Sequence, residues 1–157
     1  MKSLLLLLIL SLSSMALAVE PLHSGDYRQH VDAHSRPLLV ILWSVDCPPC
    51  HDELAALGAL QNDFPNMPVM IINTDSHLPS EQVDVVLGQH GIADLQHFQF
   101  ADPVPARQRR EIDPQWYGEL PRSYLMETDK TTPHSGAVSE SALRGWLTTL
   151  PSASHQF

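Results

Sequence analysis

Two long apolar runs constrain the fold of this chain more than any other feature. Residues 37–44 read PLLVILWS, and residues 67–75 read MPVMIINTD. A strand that is covered on both faces has such an unbroken apolar sequence, whereas a strand with one wet face alternates between apolar and polar residues. The runs therefore predict two central strands of a parallel sheet that has helices on both faces.

The other segments supply the helices and strands that such a sheet requires. Leu54, Leu57, Leu60 and Phe64 recur every three to four residues, which predicts a helix that ends at Pro65. The whole pattern predicts an α/β fold with a central mixed sheet flanked by helices, parallel in its core and antiparallel at one edge. The remaining predicted elements are a polar helix or loop at 24–36, helices at 79–91, 106–112 and 139–150, a strand at 97–102, and a hairpin of 120–128 with 133–138.

The N-terminus has the pattern of a secretory signal. Lys2 precedes an apolar run, and the small residues of Ala16-Leu17-Ala18 fit a cleavage site. We expect residues 1–18 to be a cleaved signal peptide and residues 19–157 to form a single domain with its core at about 37–150. A membrane anchor is disfavoured because the apolar run is short for a hydrocarbon layer of about 30 Å. We therefore expect a periplasmic protein with no stable membrane insertion after cleavage.

The charge of the chain excludes two kinds of partner. Its 18 acidic residues outnumber 9 lysines and arginines, so the formal net charge is −9. Cleavage after Ala18 would remove Lys2 and no acid, which changes the charge from −9 to −10. Nucleic acid and anionic membrane surfaces are unsuitable partners for such a chain. Export would also place the cysteines in an oxidising compartment, where disulfides persist.

Cys47 and Cys50, separated by Pro48 and Pro49, are the two cysteines of the chain. A structural zinc site needs four ligands, and the nine histidines show no close spacing that would complete one. A disulfide kept for stability would close a very short loop and so remove little entropy from the unfolded chain. A redox dithiol fits the position between a buried strand and a helix, because a helix N-terminus stabilises the attacking thiolate. Cys50 lies one turn later, where it can resolve a mixed disulfide formed at Cys47.

The segment LLVILWSVDCPPCHDEL resembles the active-site segment of the thioredoxin superfamily, and especially that of the exported TlpA/ResA-like thiol–disulfide oxidoreductases. Trp43 lies four residues before the first cysteine, and Glu53 completes a C-x-x-C-x-x-E pattern. The segment ELPRSYLMETDK is similar to the cis-proline segment of these proteins, with Pro121 as the proline. The resemblance covers about residues 37–150 and leaves room at 79–102 for the helix–strand insertion of TlpA-like domains.

The resemblance implies a thioredoxin-like fold and the activity of a periplasmic thiol–disulfide oxidoreductase, expected to reduce protein disulfides in cytochrome c or oxidase maturation. Its partners would be protein disulfide or dithiol substrates and an upstream electron donor. It implies no metal and no cofactor apart from the redox-active disulfide. The implied site residues are Cys47 as nucleophile, Cys50 as resolving cysteine, Glu53 as proton acceptor, and Trp43, Leu120 and cis-Pro121 as substrate-binding residues.

Three residues depart from the family pattern or have two interpretations. Ile41 occupies the position at which plain thioredoxins carry a buried acid, so Glu53 is the natural candidate for acid–base help. Asp46 precedes Cys47, and its negative charge opposes formation of a thiolate there. His51 is either a solvent-facing helix residue or a source of a local pH effect on the cysteine pair.

Two other functions remain compatible with the same residues. Two thiolates hold a soft ion such as Cu(I), so a copper-handling dithiol metallochaperone of the same fold is the principal alternative. A binding module that keeps the fold but has lost disulfide exchange is a weaker one.

Overall fold

The part of the chain that the computed structural model describes, residues 17–150, contains six strands and five helices in one mixed sheet arrangement. The sheet order β1-β4-β3-β2-β5-β6 is parallel from β1 to β2 and antiparallel from β2 to β6, which confirms the predicted α/β fold. The strands are β1 (Glu20–Leu22), β2 (Leu38–Trp43), β3 (Val69–Asn73), β4 (His97–Phe100), β5 (Arg122–Met126) and β6 (Thr131–Ser135). The helices are α1 (Asp26–Ala33), α2 (Pro48–Gln61), α3 (Ser80–Gln89), α4 (Pro105–Ile112) and α5 (Glu140–Thr149).

Both apolar runs form strands that are buried along their whole length. Alternate residues of a strand point to opposite faces, so β2 contributes to two cores. Leu39, Ile41 and Trp43 pack against α2, α3 and α5 on one face. Leu38, Val40 and Leu42 pack against α1 and the segment after α4 on the other. Helices therefore cover both faces, as the unbroken apolar pattern predicts.

Helix α2 follows β2 directly and begins with the cysteine motif. Two prolines occupy its first positions, where a missing N–H costs no helical hydrogen bond. Its three predicted core leucines are fully buried. The helix ends at Gln61 rather than at Phe64, although Phe64 still packs against the same core.

One strand was not expected from the sequence. β1 has three residues, and it pairs in parallel with β4 at the edge of the sheet. Its Leu22 is buried in the core that also contains α1. The helix and strand expected within residues 79–102 are present as α3 and β4. Their status as an insertion relative to plain thioredoxins stays a prediction.

The predicted signal peptide falls mainly on residues 1–16, which lie outside the described residues together with 151–157. The signal and the single-domain boundaries therefore stay predictions. Within residues 17–150 there is no helix whose length and apolar character would let it cross a membrane.

Candidate functional site

The cysteine pair lies at the junction of the buried strand β2 and helix α2. Cys47 is the residue that caps α2, and Cys50 lies in its first turn. The backbone N–H groups of Cys50 and His51 donate to the Cys47 carbonyl at 2.9 and 3.3 Å. The two cysteines form a disulfide with a Cα–Cα distance of 5.3 Å. The predicted pairing and the predicted position at a helix N-terminus are both confirmed.

The two sulfur-bearing side chains differ in access to solvent. Cys47 is half-buried, whereas Cys50 is only 1% exposed. A partner protein can therefore reach Cys47 before Cys50, and the roles of nucleophile and resolving cysteine stay predictions. A thiolate that forms at Cys47 on reduction lies at the N-terminal, positive end of the α2 dipole, which stabilises negative charge.

Asp75 holds the loop that delivers Cys47. Its Oδ1 accepts a hydrogen bond from the Ser44 hydroxyl at 2.8 Å, and its Oδ2 accepts one from the Val45 backbone N–H at 2.8 Å. Asn73, the last residue of β3, donates to the same Oδ2 at 3.2 Å. The carboxylate thus ties the end of β3 to the loop after β2. The sequence contained no signal for this role, because 31 residues separate Ser44 from Asp75.

Glu53 lies one turn after Cys50 on α2, and residues with this spacing are neighbours on one face of a helix. Its side chain is fully buried, and Oε1 accepts a hydrogen bond from the Ser123 hydroxyl at 2.7 Å. Oε2 has no hydrogen-bond partner among the described residues. Burial raises the pKa of Glu53 from its ordinary 4.5 to about 7, and the hydrogen bond from Ser123 and the Val138 backbone offset this only in part. A carboxyl group with this pKa can take up and release a proton at neutral pH.

Leu120 and Pro121 lie at the same end of the sheet as the cysteines. β5 runs antiparallel to β2 with Arg122 opposite Leu42, so Pro121 comes level with Trp43, the last residue of β2, and Leu120 lies beside the start of the loop before Cys47. The Leu120–Pro121 peptide bond is cis, as the resemblance implied. Within residues 17–150 the Leu120 backbone N–H and carbonyl make no hydrogen bond. They are therefore free to pair with an extended partner chain.

The structure does not support the predicted role of Trp43 in substrate binding. Its side chain is 0% exposed and belongs to the core beneath the cysteine motif, next to His51. A residue that is completely covered cannot contact a partner protein in this state. Trp43 is the last residue of β2, a strand that is buried on both faces, so its side chain contributes to the packing of the core.

His51 is neither solvent-facing nor isolated. Its Nε2 lies 2.9 Å from the Val45 carbonyl, and its Nδ1 lies 2.9 Å from Nε2 of His90 at the end of α3. A carbonyl only accepts, so His51 carries its hydrogen on Nε2, and a neutral His51 accepts through Nδ1 from His90. Burial lowers the pKa of His90, and the neighbouring His51 lowers it further. Because 39 residues separate the two, the sequence alone did not predict the pair.

Among residues 17–150 there is no group of three or more His, Cys, Asp or Glu side chains placed to hold a metal ion. The alternative of Cu(I) binding depends on two reduced thiolates, which are joined here as a disulfide. It stays a prediction.

The described residues have the thioredoxin-like fold, and the disulfide lies at the N-terminus of α2, the helix that follows β2. Three solved structures show the similarity. A secreted disulfide oxidoreductase of Mycobacterium tuberculosis, homologous to E. coli DsbE, is 18% identical, with a TM-score of 0.60 over 76% of this chain and 86% of its own. DsbF of M. tuberculosis is 15% identical, with a TM-score of 0.56 over 76% of this chain and 84% of its own. A DsbF homologue of Corynebacterium diphtheriae is 14% identical, with a TM-score of 0.55 over 76% of this chain and 75% of its own.

No family profile matches the chain, and no curated protein sequence matches it either. At identities of 14–18% the structural similarity establishes the fold. The predicted thioredoxin-like fold is therefore confirmed.

Proposed function

We propose that this protein is a thiol–disulfide oxidoreductase that exchanges disulfides with other proteins. The observation that carries the proposal is the half-buried Cys47 at the N-terminus of α2, in a disulfide with the buried Cys50. The names of the similar solved structures, a disulfide oxidoreductase and DsbF proteins, support it.

The proposed reduction of a partner proceeds in two displacement steps. The Cys47 thiolate attacks one sulfur of the partner's disulfide, and the other partner sulfur leaves as a thiolate. Cys50 then loses its proton to Glu53 and attacks the Cys47 sulfur, which releases the partner's second thiolate. The Cys47–Cys50 disulfide has formed, and two electrons have passed to the partner. An upstream dithiol donor must supply two electrons to begin the next cycle.

Leu120 and Pro121 are the proposed docking segment for the partner. Their position beside the end of β2 and the unpaired backbone groups of Leu120 support this role. An extended partner segment that pairs with Leu120 would lie alongside the loop before Cys47, with its disulfide within reach of the sulfur.

The test compares Cys47→Ser, Cys50→Ala and wild type in an insulin reduction assay with dithiothreitol. We expect wild type to accelerate reduction and Cys47→Ser to give the background rate. Cys50→Ala should accumulate mixed disulfides with its partners, because the resolving thiol is missing. Equal rates for wild type and Cys47→Ser would refute the proposal.

The finer proposal is a periplasmic reductase that serves cytochrome c or oxidase maturation. It rests on the signal-like N-terminus, the TlpA/ResA-like motif and the charge of Asp46 beside Cys47. A reductase should have a reduction potential nearer to the roughly −270 mV of thioredoxin than to the roughly −120 mV of a strong oxidant. A potential near the second value would assign the oxidising direction. Trapping partners with Cys50→Ala in the native compartment would identify the substrates.

A further inference from the structure

A shallow groove is lined in part by Ser123, whose hydroxyl donates to Glu53. It has a volume of about 190 Å³ and separates the β5–β6 hairpin from α5. We call it the hairpin groove. Its apolar walls include Leu143 and Trp146, and its polar lining consists of Ser123, Thr132 and His134. Ser123 is 1% exposed, whereas Thr132 and His134 are exposed, so the groove leads from solvent to a buried hydroxyl.

The register of the β5–β6 hairpin places His134 beside Ser123, at the surface end of a row of polar groups. Ser123 on β5 is directly opposite His134 on β6. Opposed residues of an antiparallel pair project from the same face, with Cβ atoms about 4.5–5.5 Å apart. Ser123 also donates to Glu53 Oε1 at 2.7 Å. Glu53, Ser123 and His134 therefore follow one another from the core to the surface.

Glu53 needs such a connection if it accepts a proton in each cycle. Its side chain is 0% exposed, so it cannot exchange a proton with bulk water directly. The groups that face it are Cys50 on its own helix, Ser123 on β5 and the Val138 backbone before α5, and no charged neighbour contributes to its pKa. Within the described residues, Ser123 is the hydroxyl that bonds to the carboxyl.

We propose that Ser123 is a positioning residue for Glu53, and that its hydroxyl and His134 form the route by which the Glu53 proton reaches solvent. This inference rests on the proposed function for its place in a catalytic cycle. After Cys50 has given its proton to Glu53, the Glu53 O–H bond breaks and its proton passes to Ser123 Oγ. The Ser123 hydroxyl releases its own proton to a water in the hairpin groove, and His134 accepts it from that water. Rotation of the hydroxyl restores the starting hydrogen bond.

The chemistry of the groups suits this path. A hydroxyl is both donor and acceptor, so Ser123 can donate to the carboxylate and accept from the carboxylic acid. A groove of about 190 Å³ has room for several waters, since one water occupies about 30 Å³. An imidazole ring has one nitrogen that accepts and one that donates, so His134 at the rim can pass a proton on to bulk water.

The first experiment follows Glu53 itself by carboxyl ¹³C NMR across pH in the oxidised protein, a readout that needs no activity. Ser123→Ala should raise the titration midpoint of Glu53 by about one pH unit, because a hydrogen bond that favours the charged form is lost. Ser123→Thr should restore the wild-type midpoint. Thr132→Ala removes a hydroxyl from the same groove without contact to Glu53, and should leave the midpoint unchanged. An unchanged midpoint in Ser123→Ala would overturn the positioning role.

The second experiment measures steady-state reduction of insulin by dithiothreitol in weakly buffered solution, because Glu53 must lose its proton before each new turnover. His134→Ala should slow the reaction several-fold, keep the Glu53 midpoint unchanged, and recover when imidazole is added. Ser123→Ala should slow it roughly tenfold, less than the ~100-fold lower bound for loss of an acid–base group. His134→Ala at the wild-type rate in every buffer would exclude the route. An inactive wild-type protein would refute the proposed function, while the NMR result would still decide the role of Ser123.

Discussion

Glu53 is a carboxyl group in the core whose Oε2 lacks a hydrogen-bond partner among the described residues. Placing a charge there costs free energy, and the pKa of about 7 reflects that cost. The folded protein binds this proton more tightly than the unfolded chain does. The free energy of unfolding therefore decreases as pH rises from about 4.5 to about 7, and the full cost is present above that range.

We predict that Glu53→Gln stabilises the oxidised protein at pH 8, because an amide has no charge to bury. The gain should be on the order of 3 kcal/mol, as the rise of the Glu53 pKa from 4.5 to about 7 implies at roughly 1.4 kcal/mol per pH unit, and should disappear below pH 4.5. Urea unfolding of both proteins at several pH values measures it. Glu81→Gln, on the exposed side of α3, is the control and should change little. A Glu53→Gln variant that is less stable than wild type at pH 8 would contradict the prediction.

The positions of single site residues were predictable where the residues that form the site are close together in the sequence. The spacing of Cys47, Cys50 and Glu53 is set within one stretch of helix, and sequence distance translates there directly into geometry. Ser123 was missed because 70 residues separate it from Glu53, and the contact exists only after β5 pairs with β2. The interpretation of Trp43 was wrong for another reason: a strand buried on both faces has no position from which a side chain reaches solvent.

At the level of elements, α3 approaches α2 closely at one glycine. A Cβ at Gly58 on α2 would overlap with the backbone carbonyl oxygen of His90 at the end of α3. The missing side chain thus allows the two helices to meet where His51 and His90 share a hydrogen bond. The position of α3 depends on Gly58 as well as on the burial of Val83 and Leu87.

We predict that Gly58→Ala destabilises the protein by about 1–3 kcal/mol, since the carbonyl must move away from the new methyl group. Gly145→Ala in α5 is the matched control. A Cβ there meets nothing within 4 Å, so the gain in helix propensity should leave the protein equally or up to about 1 kcal/mol more stable. The midpoints of urea unfolding of Gly58→Ala, Gly145→Ala and wild type measure both effects. Equal effects at both glycines would show that the contact with His90 is unimportant.

The long elements were predictable and the shortest one was not. β2 and β3 follow from unbroken apolar runs, and α2 from its leucine spacing. β1 has three residues, including a proline, and no local pattern that predicts a strand. Its pairing with β4 and the burial of Leu22 stabilise it, so it depends on tertiary contacts that no sequence window contains.

On the scale of the whole molecule, the net charge of −9 sets the preference for partners. Asp46, beside the reactive cysteine, is exposed and adds to this field locally. A negative protein attracts cationic partners at low ionic strength, and the attraction weakens as salt shortens the Debye length from about 30 Å at 0.01 M to about 3 Å at 1 M.

We therefore predict that the reduced protein reacts several-fold faster with the cationic disulfide cystamine than with the anionic disulfide 3,3′-dithiodipropionate at low salt. At 1 M salt the ratio of these two rates should approach the ratio measured when dithiothreitol reduces the same two disulfides. The two small disulfides are similar in size and opposite in charge, and uncharged dithiothreitol corrects for their intrinsic reactivity. Stopped-flow rates provide the comparison. Asp46→Asn should reduce the low-salt ratio, and a ratio independent of salt would count against electrostatic steering.

Every residue of β6 is exposed, and Pro133 stands at its centre, opposite Tyr124. A free strand edge is a template on which another chain can extend the sheet, and a proline interrupts its row of donors. A protein proposed to handle extended polypeptides meets many segments capable of such pairing. Because β6 is a poor template, an incoming strand is expected to pair beside Leu120, next to the sulfur, rather than to start an aggregate along the free edge of β6.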